Sequence, residues 1–365
     1  MIQAAPLRAL PLAGLLPLLL PLLGASCAAV PPLPGVVPAD ELIQPGELRF
    51  RRLWRLTRGG ENAEGYWSFA GDRLVLQRRN RDEGVDCDRI YVTGADGLEQ
   101  VSSGRGTTTC GYFLPGDREV VFASTQEHAE ACPPPLDYSQ GYVWKVHPEH
   151  DLWVHDLESG AERRLTTEWG YDAEATVSPL GDRIVFTSTR SGDLEIWTMD
   201  LDGSNPVQVT DEPGYDGGAF FSHDGQRLVF RTTGFTPGAE RQELATYREL
   251  LADWKVRPHS MDIMLVDADG ANRRRLTDLG GASFAPYFYP DDRRVIFSSN
   301  WRDAKGRDFD LWAVGVDGER LERITTYEGF DSFPMFSPDG RWLVFASNRG
   351  GLVAGETNLY LAEWR

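Results

Sequence analysis

The 365 residues contain no G-x-S-x-G, no H-E-x-x-H, no phosphate-binding glycine loop and no dinucleotide fingerprint. The first absence removes the nucleophile elbow of a serine hydrolase. The others remove a zincin helix, a P-loop site and a nucleotide-cofactor site. Positive charge is also short: 37 Lys and Arg stand against 55 Asp and Glu, a formal charge of -18. Such a surface repels phosphodiester backbones and anionic headgroups. Nucleic acid is therefore excluded as a partner, and a membrane is reachable only through an anchor. Histidine numbers six and cysteine four, too few for a metal or disulfide framework spread over the whole chain.

The apolar residues that are present fall into two very different parts. Residues 1–30 carry one charge, Arg8, ahead of a Leu-rich run broken by Pro11, Pro17 and Pro21, and they end in small residues. This is the layout of a secretory signal. The stretch "LLGASC" resembles a bacterial lipobox, which implies a signal peptide over 1–26 and a lipid-bearing Cys27. Gly24 and Ser26 depart from the Leu and the Gly or Ala usual at those places. Cleavage after Ala29 and retention of the run as an anchor stay open. Residues 27–47 are Pro-rich without periodicity and predict a semi-extended tether.

The remainder repeats itself. Six cores align: "RLVL" at Arg73, "VVFAST" at Val120, "IVFTST" at Ile184, "LVFRTT" at Leu228, "VIFSSN" at Val295 and "LVFASN" at Leu343. A turn position precedes each, held by Gly71, Asp117, Gly181, Gly225, Asp292 and Gly340. Only Gly and Asp occur there, which predicts a left-handed backbone. A third, alternating segment and a short fourth segment ("EQVS", "RRLT", "VQVT", "RRLT", "ERIT") follow each core except the last. Four short strands per copy, with the second apolar on both faces, predict sheets stacked radially. The turn-to-turn periods are 46, 64, 44, 67 and 48 residues. A blade usually takes about 40–45, so blades two and four carry insertions. The reading is an all-β, six-bladed β-propeller of four-stranded blades over 48–365. The orphan segment "WRLT" at Trp54–Thr57 would pair with "NLYLAEW" and close the ring from the N-terminal side.

"FSPDGRWLVFASNRG" and "VSPLGDRIVFTSTRSGDLEIWTMDLDG" resemble the WD40-like repeat of the TolB β-propeller family, over roughly residues 48–365. The resemblance implies the propeller fold and a non-catalytic, monomeric module in the cell envelope. Such a module would bind a protein or a basic peptide, with no cofactor required. The α/β domain that TolB carries ahead of its propeller has no counterpart in the roughly twenty residues before the repeats, which puts the Tol–Pal role in doubt. Related propellers also serve prolyl-oligopeptidase-type peptidases, for which the nucleophile elbow is missing. Others are metal-dependent lyases of pectate oligomers, and a glycan lyase is the alternative reading.

Three places could carry function. The blade-two insertion holds His128, Cys132, His147 and His150 in no recognised ligand spacing. It also offers a disulfide partner: Cys110–Cys132 is the expected pairing, with Cys87–Cys110 next. The blade-four insertion predicts a helix between Pro237 and Pro258, with Leu244, Tyr247, Leu251 and Trp254 on one stripe. Both insertions join second to third strands and so rise from one face. On that face the inner strands begin with Asn62, Thr108, Asp172, Asp216, Ser283 and Asp331, with Glu64 and Glu174 two places on. These should ring the channel mouth. Each Asp could merely cap its strand. Alternatively the ring focuses a negative field for a basic peptide, or Asp172, Asp216 and Asp331 ligate Ca²⁺.

Overall fold

A computed structural model describes residues 31–365 except 140, 259 and 304. Cys27 and the leader lie outside the described residues. Among those described, no helix is long and apolar enough to cross a membrane.

Six antiparallel sheets follow one another along the chain, each ordered from an inner to an outer strand. The inner strands are Glu61–Trp67, Thr108–Phe113, Asp172–Val177, Gly217–Phe221, Ser283–Phe288 and Asp331–Phe336. The repeated cores form the second strands. Their Phe122, Phe186, Phe230, Phe297 and Phe345 are fully buried between sheets, as a strand apolar on both faces requires. All six turn positions are left-handed, including Asp117 (φ 57°) and Asp292 (φ 55°). The fourth segments are the outer strands. Each ends in Ser or Thr for a repeated reason. The hydroxyls of Ser102, Thr166, Thr210, Thr277 and Thr325 accept the N–H of Ile90, Leu152, Ile196, Ile263 and Leu311 in the third strand.

The ring closes as the sequence predicts. Phe50–Arg55 pairs antiparallel with Asn358–Trp364, and Thr57 accepts Leu359 N–H at 2.9 Å in the same role as its five counterparts. The segment before it differs from expectation. Residues 31–47 are not a loose tether. Val37–Pro38 adds a fifth strand to blade six against Trp54 and Arg55. Asp40 accepts Leu53 N–H and the Arg52 guanidinium. Glu47 is fully buried on Arg349 at 2.9 Å, and Arg349 also reaches Asp331 at 2.8 Å. Proline content suggested extension, but the burial of this ion triad fixes the chain.

Both insertions leave the same face. The blade-four insertion contains the predicted helix, Glu240–Ala252, with Tyr247 buried and its hydroxyl on Asp193 of blade three. Leu244, Leu251 and Trp254 are only half-buried. The two insertions meet: Trp144–Lys145 of blade two pairs with Lys255–Val256 of blade four as a separate two-stranded sheet.

Candidate functional site

Every inner strand carries a β-bulge at the same point, where pairing with the second strand slips. The residue inside each bulge is left-handed: Glu64, Cys110, Glu174, Gly218, Ala285 and Phe333, with φ between 50° and 61°. A bulge bends the strand and re-aims the side chain it carries. Five of these six are not glycine, so the conformation is held against its intrinsic cost by the surrounding sheets.

This decides where the predicted ring residues go. Asn62, Thr108, Asp172, Asp216, Ser283 and Asp331 are all buried. Asp172 pairs with Arg190 at 2.9 Å, Asp216 with Arg273 at 3.0 Å and Asp331 with Arg349 at 2.8 Å. Burial holds the three carboxyls above the usual aspartate range, Asp216 at about 6, against the pull of its arginine. Asn62 donates to the carbonyls of Gly59 and Thr357, Thr108 donates to Asp88, and Ser283 meets Ser299. Each Asp is thus neutralised inside its blade, and these three do not fit the oxygen set that Ca²⁺ needs.

The residues two places on are the ones that reach the axis. Glu64, Cys110, Glu174 and Phe333 line a cavity of about 940 Å³ on the insertion-bearing face. In the motifs "GYDAEA", "GYDGGA" and "GFDSFP" the aromatic before the Asp also lines it, as Tyr171, Tyr215 and Phe330. The cavity is blind. Two residues beyond the bulge, rings from blades one, two, four and five meet across the axis. Tyr66 lies 5.8 Å from Tyr112 and 5.4 Å from Phe220, and Phe220 lies 5.3 Å from Tyr287. The roof is the joined pair of insertions, with Tyr138, Tyr142, Trp144 and Lys145 over the opening. Phe284, Phe309, Phe330 and Phe333 form an aromatic wall on blades five and six.

The opposite wall is polar. Glu174 accepts from Tyr215 at 2.7 Å, Thr187 at 2.8 Å, Gly218 N–H at 2.8 Å and the Arg231 guanidinium. Burial opposes its ionisation, but Arg231 and these donors outweigh it and hold the carboxyl below the usual glutamate range. Arg231 lies under Trp144 and Tyr215, 5.4 and 4.5 Å from their ring centres. It needs the bare backbone of Gly218, where a Cβ would fall 2.2 Å from its Nη1. Glu64 is different. Its Oε2 is buried and has no hydrogen-bond partner. Burial raises its carboxyl to about 7, with Cys110 opposing and Glu174 and Asp88 adding to the rise. The Cys110 thiol is pushed well up, first by burial and then by Glu64; it stays a thiol.

The expected Cys110–Cys132 pairing is corrected. Cys132 bonds Cys87, and Cys110 is free. The bulge turns Cys110 toward the axis, while Cys87 on blade one's third strand lies beside the blade-two insertion. The histidines of that insertion do not form a metal centre. His147 and His150 meet edge to face with ring centres 5.2 Å apart, and burial lowers His150 to about 3. His128 faces Asp151 and Trp169. Among the described residues no three His, Cys, Asp or Glu converge so as to hold a metal ion. Sequence reasoning missed Cys110, Tyr215, Arg231 and Trp144. Glu64 and Glu174, named from the sequence two places past the strand starts, do line the cavity, and extending that offset to blade two points to Cys110.

The architecture is a six-bladed β-propeller with a roofed, blind cavity at one end of its axis. A family model of the TolB beta propeller domain matches residues 142–248 and 243–360, so the chain belongs to that family. Comparison with curated proteins gives no match. Among solved structures, a TolB-type protein of Agrobacterium tumefaciens is 18% identical with a TM-score of 0.55, over 84% of this chain and 91% of that one. TolB from Acinetobacter baumannii is 19% identical with a TM-score of 0.52, over 84% and 65%. Oligogalacturonate lyase from Vibrio parahaemolyticus is 12% identical with a TM-score of 0.50, over 90% and 96%. At these identities the likeness concerns the fold.

Proposed function

We propose that this protein is an exported, non-catalytic binding module of the cell envelope, lipid-anchored through Cys27, that takes a peptide or protein segment into its roofed cavity. The observation that carries the reading is the cavity itself. It is bordered at its mouth by two insertions and closed below by an aromatic plug, has a volume suited to a short peptide, and sets an aromatic wall against a polar one. The leader supports export, and the TolB resemblance supports an envelope role. The lyase alternative needs converging metal ligands, and among the described residues no three His, Cys, Asp or Glu converge.

Selection of random twelve-residue peptides on the immobilised protein tests this. Related sequences should enrich on the wild type and disappear on a Trp144→Ala, Tyr142→Ala variant that melts like the parent. Equal enrichment on both would place binding outside the cavity.

A further inference from the structure

We propose that the cavity recognises a lysine side chain set between apolar residues, with Glu64 receiving its ammonium group. This rests on the reading of the cavity as a peptide site and names what it selects. The argument comes from comparing two equivalent positions. Glu64 and Glu174 occupy the same bulge in blades one and three. Glu174 is answered by Arg231 of the next blade, which stands opposite Gly217 in the pairing of blade four. The position equivalent to Arg231 in blade two, opposite Thr109, is Ala123. Glu64 therefore looks toward a neighbour that supplies no cation, and its Oε2 is left buried without a partner. A buried carboxyl oxygen with no donor is costly unless a ligand completes it.

The Glu174–Arg231 pair shows what completion looks like in this chamber: a cation against a carboxylate, covered by Trp144 and Tyr215. Glu64 offers one unpartnered oxygen, which suits the single-point charge of an ammonium better than a guanidinium that would bond two. The Cys110 thiol bonds the Glu64 carboxyl and Asp88 lies near it, while Thr109 and Gln77 line the same cavity. The Gln77 amide oxygen accepts from the Thr109 hydroxyl at 2.8 Å and the Cys110 N–H at 3.3 Å, which leaves it committed to blade two. The apolar flanks of the ligand would meet Phe284, Phe309 and Phe333 across the cavity. The charged groups that face Glu64 are Asp88, Glu174 and Arg231. Lys145, Arg257 and Arg307 also border the cavity but belong to the roof and rim. They offer the rival outcome, capture of an acidic segment.

The experiment uses three capped pentapeptides, Phe-Leu-X-Leu-Phe, with X lysine, norleucine or glutamate. Each is titrated calorimetrically into the full exported chain at about pH 6 and about pH 8.5. The lysine peptide should bind about tenfold more tightly than the norleucine peptide at the higher pH, the worth of one charged hydrogen bond. Its advantage should shrink severalfold at the lower pH, where Glu64 takes up a proton. Glu64→Gln should bring the two peptides within about twofold of each other. Norleucine binding as well as lysine, or lysine keeping its advantage in Glu64→Gln, overturns the lysine assignment while leaving the cavity a peptide site. Preference for the glutamate peptide gives the cavity to the rim bases. Failure of all three to bind removes both this inference and the peptide reading.

Discussion

At the scale of single residues, polar side chains buried at repeated positions do different work in different blades. Asp117 sits in a turn where most blades have Gly, and its carboxylate accepts the N–H groups of Phe69 and Ala70 in the turn of blade one, at 2.7 and 2.8 Å. Asp292 does the same for His223 in blade four. Where Gly stands instead, the neighbouring turn packs against the bare backbone: a Cβ on Gly181 would fall 2.8 Å from Pro115. Asp117→Gly would relax a left-handed backbone, yet it strands two amides, and we expect it to lower stability by about 2 kcal/mol. A denaturant midpoint equal to or above the parent's would refute that account. Glu64 allows a second residue-scale prediction. Its folded value of about 7 lies above the usual glutamate value, so the folded state holds the proton more tightly than the unfolded chain. The resulting penalty is absent below the unfolded value, grows through the interval and is complete above about 7. Glu64→Gln should therefore stabilise the protein by about 3 kcal/mol at pH 8.5 and by nearly nothing at pH 4.5. Chemical denaturation at both pH values checks the sign.

At the scale of elements, two attachments hold segments that a strand count would leave loose. The first is the N-terminal segment 31–47, fixed by Glu47, Arg349 and Asp331. A chain beginning at Leu48 keeps its closing strand but leaves Arg349 short of one carboxylate. Breaking a buried pair costs about 3 kcal/mol, so its melting temperature should fall by several degrees. A free tether would have left it unchanged. Removing Leu48–Thr57 as well should cost more, because the outer strand of blade six goes with it. The second attachment is Cys87–Cys132, which ties the blade-two insertion to blade one across 45 residues. Cys132→Ser should lower stability by about 4 kcal/mol on the chain-entropy estimate. Urea titration of the oxidised parent and the variant measures the difference.

At the scale of the whole molecule, the blades supply a rigid ring and the insertions supply its cover. The strand Lys255–Val256, which follows the helix Glu240–Ala252, brings the blade-four insertion to the cavity at Val256, Arg257 and Pro258 and pairs there with Trp144–Lys145. Deleting residues 238–256 should leave the ring folded, because the second strands of all six blades keep their buried cores. It should also open the roof over Cys110. The reporter is alkylation of that thiol by a bulky maleimide, slow in the parent and at least about tenfold faster in the deletion. Unchanged alkylation would mean that the insertions do not close the cavity. The same ring explains why the acidic surface and the interior charges are separate matters. The net charge of -18 repels polyanions from outside, whereas the three aspartates at the starts of the inner strands are each answered by an arginine of the same blade.

Much of this was legible in the chain. The six apolar cores, the Gly or Asp turns, the two long periods and the displaced "WRLT" segment determine a closed propeller with two insertions on one face. These are local signals: a two-residue alternation and a left-handed turn depend on neighbours a few positions away. The candidate site was legible only to within two residues. The sequence placed Asp172, Asp216 and Asp331 on the axis together with Glu64 and Glu174; only the latter two line the cavity, because the bulge they occupy re-aims the side chain it carries, and the same bulge brings in Cys110. The free thiol, the Cys87–Cys132 bond, the docking of residues 31–47, the Trp144–Lys145 pairing with Lys255–Val256 and the unpartnered Oε2 of Glu64 were decided by tertiary structure alone. Each joins residues that are far apart in sequence or belong to different blades, and the order of residues along a strand carries no record of which neighbour the next blade presents.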